Sequence, residues 1–238
     1  MVFRPRKVLA GAAAGVFFLI IGYGSAAETP IEETPMYGYD RRPMPANERA
    51  IHDEFIQYMV REAGSREAAA KRALQLAWQY YNSGDYRTAM KRFNQAWLLD
   101  PNNAEIFLGF GLLMSDRQQN DQAARFYRRS LELDPANNMT ITNLALVLKR
   151  NAMALGERSL EAKPLLGHAE DLFCAASQVA TSDQDLDYIY YNWAVIRAME
   201  GNFPEAWEKV HLCRKHGGKS IQDGFVKQLS GAMPEPQE

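Results

Sequence analysis

Cysteine is scarce, with two residues in 238. That excludes the multi-disulfide framework on which small secreted domains depend. Charge of one sign is missing as well. The 27 basic and 29 acidic residues leave a formal net charge of −2, so no strong field favours nucleic acid. Eleven prolines and sixteen glycines are ordinary fractions, which excludes collagen-like and low-complexity chains. The sequence holds no GxSxG, HExxH, P-loop or CxxC motif, the spacings that would place a nucleophile, a zinc site, a phosphate cradle or a dithiol. What remains is enough chain to bury one sizeable core, with room for appendages.

One uncharged apolar run stands out, and it lies at the N-terminus. Arg4, Arg6 and Lys7 precede Val8–Gly24, and Ser25-Ala26-Ala27 follow. Basic start, apolar run and small residues are the order of a secretory signal. Residues 1–27 are therefore expected to be a signal peptide cleaved after Ala27, or else an uncleaved N-terminal membrane anchor. Either exports the remainder to the periplasm, or leaves it anchored in the inner membrane and facing the periplasm. Residues 28–46 contain Pro30, Pro35, Pro43 and Pro45. Proline this dense blocks helix and sheet interiors, so this stretch reads as an extended linker.

The body repeats itself. Ala89, Phe93, Ala96, Leu99, Asp100, Pro101 and Asn103 recur as Ala123, Tyr127, Ser130, Leu133, Asp134, Pro135 and Asn137, each at a spacing of 34. A fixed period of this size marks stacked supersecondary units. Ala89, Phe93 and Ala96 share one face of a helix, Ala77 and Tyr80 lie on the helix before it, and Gly84-Asp85 falls between them as a turn. The unit is a helix–turn–helix.

This pattern resembles the tetratricopeptide repeat (TPR) family, which carries small residues where two helices cross, an aromatic on the second helix and a terminal proline. Ala77, Tyr80, Gly84, Ala89, Phe93, Ala96 and Pro101 match in the first unit, and Gly111, Ala123, Tyr127 and Pro135 in the second. In a third unit, Ala169, Phe173 and Ala176 follow their second-unit equivalents by 46 residues. That places an insertion of twelve near Asn151 to Lys163. A fourth unit carries Trp193, Ala194, Gly201, Phe203, Ala206, Val210 and Cys213, with Gly217-Gly218 in place of the proline.

The resemblance implies an all-α, TPR-like right-handed superhelix of about four repeats with capping helices. Its domain spans residues 65–218, in units of about 70–103, 104–137, 138–183 with the insertion, and 184–218. Residues 47–64, with Ile51, Phe55, Ile56, Met59 and Val60, are an N-terminal capping helix. Residues 219–238, with Ile221, Phe225 and Leu229, form a C-terminal cap and tail.

In this family the first helices line a concave groove that holds a segment of a partner protein. The register places Leu74, Trp78, Tyr81 and Asn82 there from the first unit, and Leu108 and Leu112 from the second. Met139, Asn143 and Leu146 come from the third, and Tyr188 and Tyr191 from the fourth. Ser115, Thr142, Arg150 and Asn192 fall on the same faces. A family variant grips a chain-terminal carboxylate with Lys and Asn, but the corresponding first-unit positions here are Leu74 and Trp78, so that clamp is absent.

The resemblance implies a non-enzymatic interaction scaffold of the bacterial cell envelope with protein partners. It implies no catalytic residue, cofactor, metal or nucleic acid. Membrane contact would come only through residues 8–24, if they are retained. A membrane-anchored structural assembly factor for an envelope complex is the alternative, and an enzyme with an unrecognised site is a third class. His211, Cys213 and His216 are close in sequence, but His211 and Cys213 point opposite ways on a helix, so packing is expected rather than metal binding. Export permits a disulfide between Cys174 and Cys213, although the second helices of neighbouring repeats are not the closest pair in this fold. Arg125, Arg128 and Arg129 read as a solvated outer face.

Overall fold

Short polar side chains set the helix starts. In a computed structural model describing residues 46–156 and 159–236, Ser65 accepts a hydrogen bond from the Ala68 amide and opens α2 (Arg66–Ser83), while Asp85 accepts from Thr88 and opens α3 (Tyr86–Leu99). Such caps satisfy amides that the first helical turn leaves free and contribute about 1 kcal/mol each. Among the described residues there are ten helices and no strand. The signal and linker expectations for residues 1–45 lie outside the described residues. None of the described helices is long and apolar enough to cross a membrane.

The chain divides into two compact units, with the boundary between Phe110 and Gly111. In the first, α1 (Ala46–Ala63) packs on α2. Helix therefore begins at Ala46, the residue expected to end the linker. Packing of α1 runs through the half-buried Phe55, Ile56, Met59 and Val60, while Ile51 is 63% exposed, contrary to its expected place on the packed face. Ala69, Ala73 and Ala77 of α2, with Ala89, Phe93 and Ala96 of α3, are all buried. Small residues at these positions let α2 and α3 approach closely, as the repeat pattern requires. Gly84 ends α2 at φ +84, a left-handed conformation open to glycine at little cost. Arg66 Nε and Nη2 donate to the carbonyls of Leu99 and Leu98 at 2.7 and 3.0 Å. A cation thus satisfies carbonyls at the end of α3.

The boundary falls within α4 (Ala104–Asp116). In the second unit, α5 (Asn120–Leu133) packs on α6 (Asn138–Leu155), α6 on α7 (Ala162–Val179), α7 on α8 (Asp183–Met199) and α8 on α9 (Phe203–Lys215). Ser130 replaces the alanine of the first repeat, and its buried hydroxyl is satisfied by Thr140 at 3.2 Å. The insertion is shared among three elements. α4 has 13 residues and α6 18, α5 has 14 and α7 18, and the intervening stretch lengthens from 117–119 to 156–161. Met153, Leu155 and Leu160 are exposed around the lengthened turn.

α10 (Asp223–Ala232) brings Leu229 onto a cluster of Ala194, Ala206, Trp207 and Val210, flanked by Ile221, Phe225, Val226 and Met233. Trp207 is fully buried, and its Nε1 donates to the Met233 carbonyl at 3.0 Å. The buried Asp187 of α8 accepts from the Ser220 amide and hydroxyl at 2.9 and 2.6 Å and from the Cys213 thiol at 3.2 Å. One carboxylate thus joins α8, α9 and the turn leading to α10.

Candidate partner-binding faces

On the first unit, Leu74 and Trp78 are half-buried and Asn82 is exposed. Trp78 makes edge contacts with Tyr81 and Phe93, at centroid distances of 5.9 and 5.2 Å, and its indole Nε1 donates to Glu105 at 3.2 Å. One side of the ring anchors the helix pair and the rest stays open. Lys71 and Leu74 also line a cleft of about 320 Å³, together with Arg66, Glu67, Asp100 and Asn103.

Several expected groove residues are turned inward. Tyr81 and Leu108 of the first unit are buried, as are Leu112, Asn143 and Leu146 of the second. The cause differs between positions. Tyr81 packs against Trp78 and Tyr86. Asn143 folds back, its Nδ2 donating to the Met139 carbonyl one turn earlier at 2.8 Å. Burial of the three leucines is continuous with that of whole helical stretches, residues 106–115 and 140–148. Such all-round burial is unlike a helix with one wet face.

Met139 and Tyr188 keep part of their surface. Tyr191 is half-buried but meets Phe225 of α10 edge-on at 5.7 Å, so it packs toward the C-terminal helix rather than standing as a free anchor. Burial pushes the phenols of both Tyr188 and Tyr191 above their ordinary pKa.

Arg150 and Lys149 lie in the C-terminal half of α6 and reach to its neighbours. Arg150 Nη2 donates to Ser115 Oγ on α4 at 2.6 Å, and Lys149 Nζ donates to Asn192 Oδ1 on α8 at 2.6 Å. Asn192 Nδ2 in turn donates to the Tyr188 carbonyl at 2.8 Å. Burial, then the neighbouring Arg150 charge, pushes the Lys149 amine down to about 8. The register placed Arg150 on this face, but Lys149 carried no signal beyond its charge, because its importance comes from its neighbours on α8.

The remaining candidates resolve differently. Both cysteines are free. Cys213 is buried against Asp187, and that burial, together with the Asp187 carboxylate, raises its thiol to about 12. His211 pairs with Glu235 and His216 with Asp183, so the two histidines point to different partners. No metal-binding group of three or more His, Cys, Asp or Glu occurs among the described residues. Arg125, Arg128 and Arg129 are exposed, and Arg129 pairs with Glu132.

Known folds share this arrangement. MamA aligns with a TM-score of 0.52 at 14% identity, over 75% of this chain and 98% of its own. The pilF protein of Pseudomonas aeruginosa aligns at 0.54 and 16% identity, over 79% and 87%. No protein-family model matches the chain, and no curated protein does. Identity this low speaks to fold alone. The chain has the tetratricopeptide-repeat fold. Its 34-residue period and helix pairs are those of that class.

Proposed function

We propose that this chain is a non-catalytic protein-interaction scaffold of the bacterial envelope, exported by residues 1–27, which binds a flexible segment of a partner protein. The observation that carries the reading is the half-exposed aromatic on a first helix of each unit, Trp78 and Tyr188. Large rigid rings with one open face are common anchors of protein interfaces, and a preformed helical face binds a flexible chain without ordering itself. The test is photo-crosslinking in the native cell, with the reactive residue at position 78 or 188. Recovery of one discrete protein supports the scaffold and supplies the partner. Crosslinks only within the chain would overturn it.

The uncharged run Val8–Gly24 favours a second reading, an anchored factor that holds an envelope complex together. N-terminal sequencing of the mature protein separates the two. A start at Glu28 supports a released scaffold, and retention of residues 8–24 supports the anchor.

A further inference from the structure

Past α10 the chain lies back on α9 as a short strap. Met233-Pro234-Glu235-Pro236 belongs to no helix, and α9 grips it at two points. Trp207 Nε1 donates to the Met233 carbonyl at 3.0 Å. Two residues on, the Glu235 carboxylate meets His211 Nε2 at 2.9 Å and accepts from Nη1 and Nη2 of Arg214. These hydrogen bonds, from Arg214 first and then His211, hold the Glu235 carboxyl below its ordinary pKa. Trp207, His211 and Arg214 stand at i, i+4 and i+7, on one face of α9. Prolines on both sides of Glu235 fix the strap as extended chain.

We propose that this face of α9 is a docking site for an extended, acidic, proline-bearing segment of a partner protein, and that residues 233–236 fill it in cis as a built-in competitor. The site is on the second helix of its repeat and is distinct from the first-helix residues Trp78 and Tyr188. Three observations favour a displaceable strap over a fixed clasp. The apolar cover of this end is supplied upstream, by Leu229 with Ile221, Phe225 and Val226, so the strap past Met233 adds mainly polar contacts. Its grip is open to solvent, with the side chains of Arg214 and Glu235 42% and 38% exposed, and ion pairs so exposed hold weakly. A cleft of about 680 Å³ continues beside the strap, lined by Glu208, Leu212 and Lys215 next to the gripping residues. Its charge suits an acidic chain. His211, Arg214 and Lys215 face a single α9 carboxylate, Glu208, which is tied to Lys209 at 2.8 Å.

The test uses a fluorescein-labelled, C-terminally amidated peptide of the tail, Met-Pro-Glu-Pro-Gln-Glu, read by anisotropy against the full chain and against a chain ending at Ala232. The shortened chain should bind it at least about tenfold more tightly, because its seat is empty. Gln at the third peptide position, or Arg214→Gln in the shortened chain, should weaken binding about tenfold, the weight of one charge-assisted contact. Full-length Glu235→Gln, which loosens the strap without shortening the chain, should show an intermediate gain and decides the matter if the shortened chain does not melt cooperatively. Equal binding by the full chain and by the folded variants overturns the proposal. A photo-reactive residue at position 215 then tests the partner. Capture of a protein whose acidic, proline-bearing segment, made as a peptide, displaces the tail peptide supports the site. Crosslinks only to the chain's own residues 233–238 overturn it and leave a fixed clasp. A concentration-dependent dimer of the full chain that is lost on ending at Ala232 also overturns it, because the strap would then be serving a second copy. Capture at position 78 or 188 with none at 215 sinks this site and leaves the scaffold reading intact.

Discussion

Gly111 of α4 lies directly under the ring of Tyr127 of α5, so that a Cβ there would overlap the aromatic carbons. Gly109 stands in the same relation to Phe93. Bare backbone on α4 thus seats the aromatic ring of the helix before it, Phe93 of α3, and of the helix after it, Tyr127 of α5.

Gly111→Ala is therefore expected to destabilise the protein by about 1–3 kcal/mol, since the fully buried Tyr127 ring has nowhere to move. Gly167 offers the control. It lies inside α7, and nothing stands within 4 Å of a Cβ there. Gly167→Ala should raise stability by up to about 1 kcal/mol through helix propensity. Thermal melts of the two variants should move in opposite directions. A shared direction would show that the ring contact does not set the glycine requirement.

Gln118 occupies, 34 residues later, the turn position of Gly84. It adopts φ +63, and is the one non-glycine with positive φ among the described residues. A side chain in that conformation costs about 1 kcal/mol. Gln118→Gly should recover most of this, less the entropy that glycine adds to the unfolded chain. The expected result is a melting temperature unchanged or raised by a few degrees. The reverse change, Gly84→Gln, should lower it.

Glu170 sets a pH dependence. Burial, together with the Glu200 charge, pushes its carboxyl up to about 7, against the pull of Arg197 at 2.7 Å. The folded state then holds a proton that the unfolded state releases near its ordinary value. Its contribution is present at low pH and is lost as pH rises from about 4.5 through about 7. Glu170→Gln removes that titration. The wild-type melting temperature minus that of Glu170→Gln should fall between pH 5 and pH 8. A constant difference would show that Glu170 is ionised throughout.

Trp207 closes the C-terminal end. Replacing it with alanine should cost about 3–5 kcal/mol, from lost burial and the cavity left behind. Trp207→Phe should cost less, retaining most of the apolar fill but giving up the bond to Met233. Chemical denaturation of both reads the difference, and equal losses would place the energy in the hydrogen bond rather than the ring.

The sequence by itself determined the repeat. A period of 34 with alanine at the crossings and an aromatic between them specifies paired helices, because small and large residues at helical spacing fit only that close approach. It also located the insertion, which lengthens α6 and α7 around the expected residues. Tertiary structure decided which first-helix residues remain open. Leu108, Leu112 and Leu146 look like groove leucines in register, yet all are buried, and Tyr191 meets Phe225 from a helix more than thirty residues later. Register gives the direction in which a side chain leaves its own helix. Whether it then meets solvent or another side chain depends on elements far away in sequence. Lys149 shows the same limit in electrostatics. An ordinary lysine in the sequence becomes a half-buried cation with a neutral partner only once Asn192 of α8 is placed against it.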